Sequence, residues 1–461
     1  MAGFIFSIDS SSGVEGLKKC IYDGDYSAIV PMDLSVLKTK QIVASVLADY
    51  CSMKEGDNVY FLSKRCIYGV GKLVNIQEDC KYKNYLRASV FEKIDLLEEK
   101  DYPLKLNDPC ARWICFFSPE HKEGFFANGI DMDDVLQYKP SSFKMLRAFQ
   151  DRSFIKIDDE QNEALKQFIY LRNKDSREFY SFSDAEHKRI SAYDLSQYII
   201  KPQETLITQS IDGEASLEML IEASLVDSIQ SNGFENSTYD YVSHQVIASP
   251  FKPLSYIDKI DVFAYRFLEN YPGSSKPVDQ YLVLELKKGK TNAETVRQLM
   301  RYVDWISKEY ASGDYSLIKA GVVAKDYVKA DIQQVLTSEC TRSYISSTHP
   351  NTTTIWNDAS LYTYDIDENG FVQLAKYDAF DAEKYLREIL DSFGWKISAA
   401  PIMVDGIKIA PKFKTSKKKL AFFANTNQDY SMLETNGWKV IDLSMLKHKE
   451  DVDVLIKRLL E

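Results

Sequence analysis

Three side chains in two apolar segments carry the clearest chemistry in this chain of 461 residues. Asp261 lies among Ile260, Val262 and Phe263, and Glu285 and Lys287 alternate with Leu284 and Leu286. In extended chain, residues two apart share a face, so Glu285 and Lys287 point the same way. Acids and bases among apolar residues are costly unless partnered. If the two segments are neighbours, Asp261 and Glu285 can share one divalent cation, with the Leu286 carbonyl as a further oxygen ligand. Mg²⁺ suits such a set, since it takes few carboxylates and keeps several waters, and Mn²⁺ is expected to substitute. Lys287 beside them can orient or help deprotonate an attacking water and stabilise charge on a phosphate. This is the minimum equipment for phosphodiester hydrolysis, and nothing in it resembles a serine or thiol nucleophile site.

The surrounding pattern supplies the elements that must position these groups. Residues 216–229 read as an amphipathic helix with Leu217, Leu220, Ile221, Leu225 and Ile229 on one face. Strands follow at 259–266 and 280–286, then a helix over 292–310 with a stripe of Val296, Leu299, Val303 and Ile306. A buried strand is expected at 318–324, and further strands near 360–365 and 370–375. Helix, strand, strand, helix, strand is the text of a layered α/β core. Gln298 and Tyr302 stand four residues apart and share one helix face.

In this order the segments resemble a known superfamily. Asp261 followed by Glu285, Leu286 and Lys287 is similar to the PD-(D/E)XK nuclease motif, and Gln298 with Tyr302 to the QxxxY motif of its RecB-like members. The wording IDVF, LVLELKKGK and QLMRYVDW resembles NucS-type DNA endonucleases, and Shedu-type defence nucleases share the core. The likeness covers about residues 212–330. It implies a restriction-endonuclease-like α/β/α fold, DNA as partner and a Mg²⁺ site. It further implies that Glu218, or Glu222 one turn later, supports the metal, as do Gln298 and Tyr302. Two departures stand out: Ile260 replaces the proline before the first acid, and residues 267–279 lengthen the connection between the catalytic strands. An E-x-K triplet alone describes many solvated strand faces; the ordered set is what carries the reading. Lys288, Lys290, Arg297 and Arg301 surround it as candidate phosphate contacts.

Four stretches are expected: a domain over 1–171, a connector over 172–211, the nuclease domain over 212–380 and a small α/β accessory domain over 381–461. In the first, KEGDNVYFLSKRCIYGVGKLV (54–74) and the helix text of 159–171 resemble PUA-like β-barrels of the EVE and YTH type. That likeness implies a nucleic-acid sensor holding a flipped base, with Tyr60, Tyr68, Trp113, Phe116 and Phe117 as candidate pocket walls, although barrel aromatics also fill cores. The last stretch is similar to very-short-patch-repair endonucleases, but Pro411, Lys412, Ala424 and Asn425 stand where carboxylates belong. That copy is therefore expected to be inactive. Its basic run, Lys412, Lys414 and Lys417 to Lys419, reads as a DNA contact or a solubilising turn.

Composition sets the outer limits. Hydrophobic residues are 45% and charged residues 27%, which excludes a disordered or collagenous chain. No stretch reaches the roughly 20 apolar residues of a membrane span, and the first residues, MAGFIFSIDSSSG, lack the basic start of a secretory signal. Net charge is −11, so any nucleic-acid surface must be local. Seven cysteines without a CxxC pair suggest reduced core thiols and a cytosolic protein. A modular sensor plus nuclease fits anti-phage defence or modification-dependent restriction. Its rivals are a NucS-like repair nuclease and a catalytically silent nucleic-acid-binding protein. Cutting both strands calls for two active sites, hence a homo-oligomer.

Overall fold

A computed structural model describes residues 2–8, 13–30, 37–86, 104, 111–143, 153–211, 213–248, 258–273, 276–328, 332, 335–336, 338–377, 382–424, 429–446 and 449–460. Cys110 and Asn425 lie outside them. The chain forms two compact units, Met1–Val328 with Val335–Ala375, and Lys329–Gln334 with Lys376–Glu461. No described helix is long and apolar enough to cross a membrane.

At the centre of the first unit is a six-stranded mixed sheet: β1 (Tyr241–Ile247), β2 (Lys259–Phe267), β3 (Val278–Thr291), β4 (Ile318–Tyr327), β5 (Ala359–Ile366) and β6 (Val372–Lys376), in that order. β1, β2 and β3 run antiparallel, and β3, β4 and β5 parallel. The parallel step from β3 to β4 needs a crossover, which the second of two helices provides: α1 (Glu218–Asn232) and α2 (Ala293–Glu309). Asn292 caps α2 by accepting the Glu294 N–H at 3.0 Å. The stripe of Val296, Leu299, Val303 and Ile306 is fully buried. Val262, Ala264, Leu282, Leu284 and Leu286 share one apolar cluster with Leu220, Ile221 and Leu225 of α1. The pleat therefore turns Asp261, Glu285 and Lys287 to the other face of the sheet.

The N-terminal sheet has the order Asp25–Val30, Ala111–Pro119, Cys66–Leu73, Asn58–Ser63, Gly3–Ser7, Phe154–Ile157. Side chains of its first strand reach the last two: the Tyr26 hydroxyl donates to the Ser7 carbonyl at 2.6 Å, and the Tyr26 and Phe154 rings lie 5.6 Å apart. Residues 172–211 pack into this unit rather than spanning a gap. Phe179–Tyr180 pairs with Phe125–Phe126, and Ile190, Leu195 and Tyr198 share a cluster with Tyr82, Ile114 and Phe116. Cys51, Cys80, Cys115 and Cys340 are buried with free thiols, and burial raises the pKa of each.

The same apolar cluster runs without a break from Phe4 through the helix Leu37–Cys51 into α1 and the central sheet. Polar ties cross it as well. Gln230 of α1 donates to the Ser52 carbonyl at 3.0 Å, and buried Lys156 donates to the Val242 carbonyl at 2.8 Å and to Gln230 Oε1 at 3.0 Å. Burial lowers the Lys156 ammonium to about 8, against the pull of Asp57 and Asp49. In the unfolded chain this lysine holds its proton up to about 10.5, so folding releases a proton between those limits. Stability from this group is fully present above the upper limit and is lost as pH falls through the lower one. Relative to Lys156→Met, the wild type should gain about 3 kcal/mol between pH 8 and 10.5. Paired denaturant melts across that range measure it.

The second unit has its own sheet, in the order Ile397–Ser398, Phe413–Thr415, Leu420–Phe423, Lys439–Asp442. Helices Ala382–Ser392 and Lys449–Leu460 contribute Leu386, Leu390, Val452 and Ile456 to a core with Trp395, Phe413 and Phe422. Its basic run works locally: Lys414 donates to the Pro401 carbonyl at 2.9 Å, Lys418 donates to the Leu459 carbonyl, and the Lys417 ammonium lies 5.8 Å from the Trp395 ring centre.

Candidate active site

The register that pairs Val262 with Leu284 puts Asp261 across from Glu285. Asp261 is 8% exposed and Glu285 1%. Two carboxylates at such a position need more than each other. Asp261 accepts the Leu286 N–H at 2.8 Å through Oδ2 and the Gln245 amide at 3.1 Å through Oδ1. Glu285 Oε1 accepts from the Lys287 ammonium at 2.7 Å, while its Oε2 is buried, faces the Asp261 carboxyl and meets no other hydrogen-bond partner among the described residues. Burial first, then the charges of Glu285 and Glu222, hold the Asp261 carboxyl well above the usual carboxylate range. Burial also raises Glu285, and Lys287 counters part of that.

Lys287 donates a second bond to the Leu286 carbonyl at 2.7 Å and stands 3.5 Å from Glu218 Oε1. Burial opposes its charge, but Glu285, Asp261 and Glu218 outweigh that and raise its pKa. The ammonium thus rests on the oxygens that sequence reasoning assigned to a cation. Glu218, the first residue of α1, also accepts the Lys288 N–H at 3.1 Å. Glu222, one turn on, is buried and accepts from Gln245 at 3.0 Å through Oε2. Glu218 thus borders the Lys287 ammonium, and Glu222 shares the Gln245 amide with Asp261. On α2, Gln298 donates to the Tyr302 hydroxyl at 2.7 Å. Burial first, then Glu285 and Asp261, raise the Tyr302 phenol, which places it within reach of their charge.

The residues fit a divalent cation. One buried carboxylate oxygen has no partner among the described residues beyond the facing acid, two facing acids resist ionising together, and a neighbouring carbonyl completes an oxygen set. Among the described residues no group of three or more His, Cys, Asp or Glu side chains is placed to hold a metal ion, so a cation here would rest on two carboxylates, a carbonyl and water. A set of two carboxylates and a carbonyl suits a hydrated Mg²⁺ rather than a structural metal.

The surface cations are exposed, and three of the four are paired within the chain. Lys290 meets Asp326 at 2.8 Å, Arg297 meets Glu339 at 2.9 Å through both Nε and Nη2, and Arg301 meets Glu294 at 3.3 Å. The Lys288 ammonium donates to the Ser216 carbonyl at 3.1 Å.

The aromatic base pocket has to be corrected. Tyr60, Trp113, Phe116 and Phe117 are at most 1% exposed and belong to three separate clusters. The Tyr60 hydroxyl donates to Asn162 Oδ1 and the Trp113 indole to the Tyr85 hydroxyl. Rings that fill a sheet interior have no free face for a base, and only Tyr68 keeps partial exposure.

Sequence reasoning missed Gln245, His244 and Asp49. Gln245 stands across from Asp261 in β1, between the pairs His244–Val262 and Val246–Ile260. Its one signal was the His-Gln pair in the mixed text YVSHQVI.

No family model and no curated protein matches the chain. Among solved structures, it is similar to a repair endonuclease from Pyrococcus abyssi at 25% identity, over 28% of this chain and 46% of that one, with a TM-score of 0.17. The match thus spans less than half of that enzyme. It also resembles EndoMS in complex with double-stranded DNA, at 13% identity over 68% of this chain and 94% of that one, and EndoMS in apo form, at 12% over 68% and 95%. The TM-score is 0.18 for each, too low to define a common overall arrangement.

Proposed function

We propose that the chain is a divalent-metal-dependent DNA endonuclease acting through Asp261, Glu285 and Lys287. The observation that supports this best is the buried acid pair, with no donor but the Asp261 carboxyl at Glu285 Oε2 among the described residues and an ammonium alongside. Mg²⁺ or Mn²⁺ held by Asp261, Glu285 and the Leu286 carbonyl would supply Lewis-acid stabilisation of phosphate charge and an acidified water. Lys287, once released from Glu285, carries its charge to the phosphate and orients the attacking water. Glu218, 3.5 Å from the ammonium, steadies it at the edge of the site, and the Gln298–Tyr302 pair keeps the α2 face of the site in place. Lys288, Lys290, Arg297 and Arg301 contact phosphates by exchanging intramolecular partners for DNA oxygens, at little net cost because exposed pairs are weak.

In this reading the N-terminal sheet, PUA-like in its sequence, senses the nucleic acid, and the C-terminal unit is accessory. The enzyme works as a homo-oligomer in the cytosol, in defence or modification-dependent restriction; the repair role is the alternative. Plain, mismatched, branched and base-modified duplexes incubated with Mg²⁺, with chelator, and with the Lys287→Ala protein test it. Cleavage should require the metal and Lys287. Preference for modified duplex supports restriction, and preference for mismatched or branched duplex supports repair. No cutting of any substrate, or equal cutting by Lys287→Ala, overturns the assignment in favour of a silent binding protein.

A further inference from the structure

Behind Asp261 runs a buried polar chain that the hydrolytic site does not itself require. The Gln245 amide nitrogen donates both to Asp261 Oδ1 at 3.1 Å and to Glu222 Oε2 at 3.0 Å. Glu222 Oε1 is in close contact with His244 Nδ1, and His244 Nε2 lies 3.3 Å from Oδ1 of Asp49. Asp49 belongs to the helix Leu37–Cys51 of the N-terminal region. Asp49, Glu222 and His244 are 0%, 1% and 1% exposed.

Two physical points argue that this chain serves the site rather than the fold. Buried polar and ionisable groups seldom stabilise a core better than apolar residues of similar volume would. Stability therefore gives little reason to keep three of them together. Gln245 also adopts φ +50°, a left-handed conformation that a glutamine rarely takes. In a regular strand His244 and Gln245 would face opposite sides. Here both reach Glu222. The strained residue is the one that touches the catalytic acid.

We infer that Gln245 is the positioning residue for Asp261, and that Asp49 of the N-terminal region sets its position through His244 and Glu222, so that cation affinity at the active site depends on that region. With Gln245 on Oδ1 and the Leu286 N–H on Oδ2, the carboxylate plane is fixed. Partners one step behind a ligand typically govern metal affinity by about 10–100-fold. The inference rests on the reading of Asp261 and Glu285 as cation ligands.

Mn²⁺ binding to the full-length protein, followed by electron paramagnetic resonance with melting temperatures alongside, tests both. The variants are Asp49→Asn, Gln245→Asn, their combination, and Glu285→Gln. Asn tolerates the left-handed backbone but is one methylene too short to bridge both acids. Glu285→Gln should lose binding, and Gln245→Asn and Asp49→Asn should each bind about tenfold more weakly. The double variant should match Gln245→Asn, because Asp49 acts only through it; a merely structural role would make the losses add. Wild-type affinity in Asp49→Asn or in Gln245→Asn, or additive losses, overturns the inference. If Asp49→Asn does not fold, Gln245→Asn decides alone, weaker binding supporting the inference and unchanged binding ending it. No Mn²⁺ binding by the wild type instead removes the metal-site reading itself.

Discussion

Glu285→Gln should cut no DNA and yet melt no earlier than the wild type when metal is absent. In the metal-free protein Glu285 is a burden: it faces Asp261, it is almost fully buried, and no donor other than the Asp261 carboxyl reaches its Oε2 among the described residues. Its neutral amide analogue keeps the shape and removes the like-charge conflict. Stability should equal the wild type's or exceed it by up to roughly 2 kcal/mol. Cleavage should fall by on the order of 10³ or more, because charge stabilisation at the phosphate goes with the ligand. The wild type should gain melting temperature on adding Mn²⁺, as any ligand specific to the folded state requires. The variant should not. A variant that melts well below the wild type would make Glu285 a structural residue and count against the site.

Lys287→Met separates binding from chemistry in the opposite way. Its ammonium lies on Glu285 Oε1 and the Leu286 carbonyl, two oxygens that the cation would need. A lysine that competes for those atoms is not a ligand, so its removal should leave Mn²⁺ affinity unchanged or tighter. Without metal the variant should lose roughly 1–2 kcal/mol, since the acids lose a partly solvated counter-charge. Single-turnover cleavage should drop by about 10²–10³. Weaker Mn²⁺ binding would show that Lys287 holds the site's geometry rather than the phosphate's charge.

Much of the site was legible because its geometry is local. Asp261 and the Glu285–Lys287 pair lie in strands whose apolar alternation gives both position and facing, and α2 announces itself by its stripe. What escaped was long-range. Gln245 becomes meaningful only once β1 is known to lie beside β2, and YVSHQVI has too many polar residues to stand out as a strand. Asp49 reaches His244 across nearly two hundred residues. Lys290 and Arg297 are exposed as their polar surroundings suggest, but their partners Asp326 and Glu339 are distant in sequence and could not be foreseen. The aromatic pocket failed for a different reason: residue type says that a ring is present, not which of its faces is already covered.

The unbroken apolar interior from Phe4 to Val372 bears on how the molecule can be dissected. A truncated protein starting near residue 212, where the text changes character, would leave Leu220, Ile221 and Leu225 without the helix Leu37–Cys51 that shares their cluster, and would open His244 and Glu222 to water. Such a fragment is a damaged core rather than a liberated catalyst. Silence from it in a cleavage assay would carry no information about the intact chain.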